Sequence, residues 1–177
     1  MTLIIEDGSA LADSESYISV ADANIYHENR GNTAWTGIAT DLIREQLLRK
    51  ATDYMVATYR QRWRGYRKTA TQALDFPRSF CYLEPFVYGA VGAYPYLLSD
   101  TVVPNEVKNA CAELALKAID GDLMVDLTQA VIREKVDVIE VEYDKFSPAQ
   151  KRYTQIDAML SVFFVSASRY ETKVIRS

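Results

Sequence analysis

Between residues 40 and 59 the side chains recur with a single period. Leu47, Leu48, Ala51, Tyr54, Met55, Thr58 and Tyr59 follow one another in three- and four-residue steps, the spacing that lines up one face of an α-helix. Arg44, Glu45, Arg49, Lys50 and Asp53 occupy the other side. Thr40 suits the N-cap, and Asp41 complements the positive end of the helix. A helix of nearly five turns with one apolar stripe must bury that stripe, so the rest of the chain is read for what covers it.

Two further helices are predicted. Ser19 with Asp22 three residues on fits a capping box, with Ile18 as a staple. The helix it opens runs over residues 20–30 and stops at Gly31, with Val20, Ala23, Ile25 and Tyr26 on its apolar side. His27, the only histidine, sits near its end as a surface or satisfied side chain, where a helix C-terminus favours the protonated ring. Trp35 follows a Gly-Asn-Thr turn as a plug over the junction. Pro104 takes a first-turn position in a helix that continues to Asp120 and ends at Gly121. Its apolar face is Val107, Ala110, Cys111, Leu114, Ala115, Ala118 and Ile119, and these small residues imply close approach to the central helix.

Elsewhere the pattern changes. Leu3-Ile4-Ile5 reads as a terminal strand or a packing arm. Residues 72–78 form a compact turn around Phe76-Pro77, with Leu74 and Phe76 to pin it to the core. Residues 80–103 are rich in Tyr, Gly and Pro and read as a loop or short irregular strands, folded onto the domain or reserved for a partner. Residues 131–143 alternate apolar and polar, so they form one bent strand or a hairpin turning at Asp137. A short helix over residues 155–162 precedes a polar, basic end. The expected fold is mainly α: a helical bundle domain over residues 1–150, with aromatic loop 80–103 and β element 131–143, followed by an extended C-terminal tail over 151–177.

Composition bounds the function. The chain has 177 residues and a formal net charge of −4, one domain's worth and an argument against a surface devoted throughout to nucleic acid. No apolar run approaches the roughly 20 residues of a membrane span, no signal peptide is visible, and the chain reads as cytoplasmic in synthesis. Cys81 and Cys111 read as two buried free thiols in a reducing compartment, with a disulfide between them as the alternative. Phosphate-loop, dinucleotide, zinc-protease, serine-elbow and paired-cysteine signatures are all missing. Glu140 and Glu142, and Asp120 with Asp122, lack the partners that would make them catalytic or metal sites. The expectation is a protein that is not an enzyme and carries no cofactor or metal.

One cluster stands out. Arg60, Arg62, Arg64, Arg67 and Lys68 interleave with Trp63 and Tyr66, and no acidic residue lies between Asp53 and Asp75. Such a stretch can bind single-stranded nucleic acid, with cations on phosphates and rings on bases. It equally suits a protein interface anchored by Arg and Trp, or internal packing with the heads paired to carboxylates elsewhere.

In order along the chain, SYISVADANIYHENRGNTAW, ATDYMVATY, RWRGYR, TQALDFPRS and PNEVKNACAELALKAIDGDL resemble the head–tail connector (adaptor) proteins of tailed bacteriophages and prophages. Relatives of these are often labelled DnaT-like single-stranded-DNA-binding proteins. The resemblance covers most of residues 16–145, although loop 80–103 is longer and more aromatic than is usual in the family. It implies a structural protein of the virion neck that forms a ring on the portal protein and continues the DNA channel without holding DNA. Twelve copies would bind one another laterally and present a face to the next neck or tail-terminator protein, with no membrane involved. It assigns portal docking to residues 151–177. The candidate interface is Arg60, Arg62, Trp63, Arg64 and Arg67, then Phe86, Tyr88, Tyr94 and Tyr96 in the loop, then Phe163, Phe164, Arg169 and Tyr170 in the tail. The alternative is a DnaT-like replication protein that binds single strands.

Overall fold

The computed structural model describes residues 2–83, 96–124, 133–136, 139–142 and 152–165. Among these the fold is mainly helical, with two small antiparallel β-ladders. Helices α1 (Val20–Glu28), α2 (Thr33–Thr36) and α3 (Asp41–Tyr59) precede a short ladder of β1 (Tyr66–Arg67) and β2 (Arg78–Ser79). Helix α4 (Asn105–Lys117) runs into a 3-10 turn, Ala118–Asp120. Strands β3 (Arg133–Val136) and β4 (Ile139–Glu142) follow, then α5 (Thr154–Leu160) with a 3-10 turn, Ser161–Phe163.

The predicted stripe of α3 is the centre of the core. Leu48, Ala51, Met55 and Tyr59 are buried, and α4 packs against them with Val107, Ala110, Cys111, Leu114 and Ala115. The small residues allow the close approach expected: Thr52 Oγ1 lies 3.4 Å from Cys111 Sγ. Cys111 and Cys81 are both free and buried. Thr40 caps α3 by accepting from Ile43 N, and Ser19 caps α1 by accepting from Asp22 N.

The segment before α1 is a terminal strand-like pairing rather than an arm. Ile5 bridges Ser16 in parallel, and Glu6 N donates to Ser16 O at 2.9 Å. The buried Glu6 carboxylate then accepts from Gly8 N, Ala10 N and Leu11 N, each at 2.9 Å, and from Ser14 Oγ. One side chain thus organises the whole loop from 6 to 14, because each buried donor must find an acceptor.

Several expectations are corrected. Helix α1 ends at Glu28, and Ile25, read as part of its apolar side, is exposed. Tyr26 is buried as expected, with its hydroxyl donating to Glu113, and His27 turns inward as well, because α4 offers it the Ala112 carbonyl. Trp35 is the expected plug, fully buried beside His27 with ring centroids 4.6 Å apart. Pro104 precedes the first turn of α4 as its N-cap, and its carbonyl accepts from Val107 N and Lys108 N. Within loop 80–103 the two ends pair: Tyr82 bridges Leu97, and Leu98 N donates to Cys81 O at 2.8 Å. The hairpin alternative holds for β3–β4, whose register closes at Val136 opposite Ile139. The C-terminal stretch is not all extended: residues 152–165 fold onto the bundle and bury Ile156, Leu160 and Phe163. No helix among the described residues is long and apolar enough to cross a membrane.

Candidate nucleic-acid interface

Past Tyr59 the chain cannot continue as helix into solvent, because Trp63 is pulled into a nest of rings. Its centroid lies 5.8 Å from Tyr59, 5.0 Å from Phe76 and 5.1 Å from Phe164. Trp63 pairs with Phe164 as an antiparallel bridge, with Arg64 N donating to Phe163 O and Val165 N donating to Arg62 O, both at 2.8 Å. The Arg-Trp-Arg stretch is therefore the seat of the chain's own C-terminal segment. Phe163 and Phe164, candidate interface residues from sequence, are buried there.

The arginines divide by what they touch. Arg60 donates to Asp75 at 3.1 Å and Arg62 to Asp157 at 2.9 Å, so carboxylates offset their charge. Arg64 instead donates to Phe164 O, and Arg67 to the carbonyls of Gln72 and Ala70. A carbonyl satisfies the N–H without cancelling the charge. Lys68 makes no ion pair among the described residues. Among the described residues, no carboxylate offsets the charge of Arg64, Arg67 and Lys68, the residues that flank Tyr66.

Arg78, which sequence reading passed over as part of a turn, holds this loop together. Its buried guanidinium donates to Arg64 O and Gly65 O at 2.7 Å and to Asp75 O at 3.2 Å. Burial pulls its pKa down, and the nearby Asp75 carboxylate opposes that. The three carbonyls bring β1 so close to β2 that a Cβ on Gly65 would meet the Ser79 carbonyl oxygen at 2.1 Å, and Gly65 has φ +64°. Only glycine fits.

Across the ladder from Tyr66 stands Ser79, and next to it Phe80. Phe80 adopts φ 58°, a left-handed backbone that bulky side chains seldom take. The conformation turns its ring outward beside Tyr66, with centroids 5.4 Å apart and planes 34° apart. Both rings are more than half exposed, 58% for Tyr66 and 56% for Phe80. Asp100 reaches this edge by accepting from Ser79 Oγ at 3.4 Å. Sequence gave a hint of Tyr66 in the cluster and none of Phe80, whose exposure follows from one backbone dihedral.

Of the loop candidates, Tyr96 is described and is 73% exposed, while Phe86, Tyr88 and Tyr94 lie outside the described residues, as do Arg169 and Tyr170. The structure brings Trp63, Phe163 and Phe164 together as a buried junction, while Arg60 and Arg62 stay about half exposed in their ion pairs. Beside it lies a smaller surface of two rings, Tyr66 and Phe80, with Arg67 and Lys68, and Arg64 belongs to both through its bond to the Phe164 carbonyl.

A family model described as putative DnaT-like ssDNA binding protein matches residues 1–177. The match spans the whole chain, and the chain belongs to that family. It carries the DnaT-like half of the sequence resemblance; head–tail connection is no part of its description. No curated protein and no solved structure matches the chain.

Proposed function

We propose that this member of the DnaT-like family binds single-stranded nucleic acid, and that the exposed Tyr66–Phe80 ring pair is its stacking surface. The observation that carries the reading is the pair itself. An aromatic ring left in water forgoes burial, and Phe80 holds its ring there at a backbone angle that costs about 1 kcal/mol or more. Bases stack on such rings irrespective of sequence, each contact contributing about 1–3 kcal/mol. Arg64, Arg67 and Lys68 supply the charge that draws phosphates to the same edge. The family description supports this reading.

The test uses a labelled oligothymidylate and fluorescence anisotropy at low and high salt. Tyr66→Ala with Phe80→Ala should weaken binding about tenfold or more while the thermal midpoint stays close to that of the parent chain, since both rings are largely exposed. Binding that is unchanged in the double variant, or absent in the parent at low salt, sinks the reading.

A second reading is the connector of a virion neck, a ring seated on a portal protein. It rests on the sequence resemblance and on one observation: Arg60 and Arg62 are offset internally in a chain whose net charge is −4. That charge balance suits a wall past which DNA slides. Association state in the presence of portal rings decides it.

A further inference from the structure

A cleft of about 280 Å³ lies where the C-terminal end of α3 meets α5. Tyr54, Thr58, Tyr59, Arg62, Arg152, Tyr153 and Asp157 line it, and each carries a hydroxyl or a charge. Two guanidiniums face one carboxylate, so the cleft is cationic.

Its geometry is fixed from several sides. Tyr54 meets Tyr59 and Tyr153 edge to face, with centroids 6.1 and 5.4 Å apart. The Arg62 guanidinium lies 4.0 Å from the Phe164 ring centroid and 5.2 Å from that of Tyr59, while its Nη1 donates to Asp157 Oδ1. Arg62 is therefore held in one orientation, and among the described residues the bond to Asp157 is its one side-chain hydrogen bond. Arg152 is exposed and makes no ion pair among the described residues. A preorganised arginine beside a second one that has no carboxylate partner among the described residues is the arrangement that grips a tetrahedral oxyanion, because the planar fork matches two of its oxygens. Tyr54, Tyr59 and Tyr153 beside it are each nine-tenths or more buried, so they give the cleft a firm aromatic floor against which a planar ring can rest.

We propose that this cleft binds a phosphate monoester, with room beside the phosphate for the base of one nucleotide. Arg152 and Arg62 hold the phosphate, and the tyrosines border the ring. Asp157 competes with the phosphate for Arg62, so the site binds more tightly when that carboxylate is neutralised. Neither Tyr66 nor Phe80 lines the cleft, so the site does not depend on that pair. The phosphate could come from a free nucleotide or from the end of a strand.

The full chain is titrated, by calorimetry and by amide chemical shifts, with inorganic phosphate, thymidine 5′-monophosphate, thymidine and a 5′-phosphorylated oligothymidylate. Phosphate and the monophosphate should saturate, with thymidine far weaker. Arg152→Gln should weaken the monophosphate about tenfold, and Asp157→Asn should tighten it. Tyr66→Ala with Phe80→Ala should leave it unchanged, so failure of the stacking surface and failure of the cleft are told apart. A free nucleotide as ligand gives tighter binding of the monophosphate than of the oligonucleotide, and a strand end gives the reverse. Lack of saturation, equal binding by Arg152→Gln, or loss of monophosphate binding in the ring-pair variant overturns the proposal.

Discussion

Single side chains decide the local behaviour of this chain, and His27 is the clearest case. Asn32 Nδ2 donates to its Nδ1 at 2.9 Å, so the ring proton sits on Nε2, facing Ala112 O at 3.2 Å. Burial is the largest influence and pushes its pKa below the ordinary value; Glu113 and the Ala112 carbonyl oppose this, and Arg30 assists it. A helix C-terminus favours a protonated ring, but desolvation outweighs the helix dipole for a group with no exposed surface. The consequence for pH has a definite sign. The unfolded chain takes up the proton first, so the stability His27 contributes is intact above about 6.5 and is lost as pH falls through the folded value. Between about pH 7.5 and 5.5 the thermal midpoint should fall further in the parent chain than in His27→Gln. Equal falls would show that other groups carry the acid response.

At the scale of elements, α5 with its 3-10 turn is the latch of the bundle. It packs against α4 and holds Phe163 against Phe76, with ring centroids 5.8 Å apart. Its ion pair, Arg62 with Asp157, is partly exposed on both sides, and such pairs contribute little. Packing should therefore dominate. In urea unfolding, Phe163→Ala should cost about 3–4 kcal/mol and Asp157→Ala less than about 1 kcal/mol. The opposite order would make the latch electrostatic. The same comparison explains why the seat of this segment looked like a binding motif: aromatic rings and arginines recognise Phe164 and Asp157 of their own chain by the forces that would recognise a base and a phosphate.

For the whole molecule the question is where charge remains. A net charge of −4 spread over the surface repels polyanions at a distance, while the cations beside Tyr66 attract them at contact. Single-strand binding should therefore be short-ranged and lost readily as salt rises. The connector reading makes a different statement about the whole molecule. Native mass spectrometry of the chain mixed with portal rings should show ring-bound copies in the portal's own number, because lateral contacts reinforce one another once copies are tethered. Copies that stay free beside intact portal rings would exclude it.

The sequence by itself determined the helices α1, α3, α4 and α5, the α3–α4 packing through small residues and the caps at Ser19 and Thr40, while over residues 131–143 it left a bent strand and a hairpin both open. These are local matters of period, volume and capping, each written within a few residues of where it acts. It also displayed the arginine cluster without showing what the cluster touches. Asp75, Asp157 and the Phe164 carbonyl lie 15, 95 and 100 residues away from their arginines, and no periodicity records such pairings. Nor does any pattern announce that Arg78 gathers three carbonyls, or that Phe80 turns outward. Only the tertiary structure decides which cations are offset and which rings stay in water. Charge and exposure belong to the assembled surface, and the order of residues along the chain does not fix them.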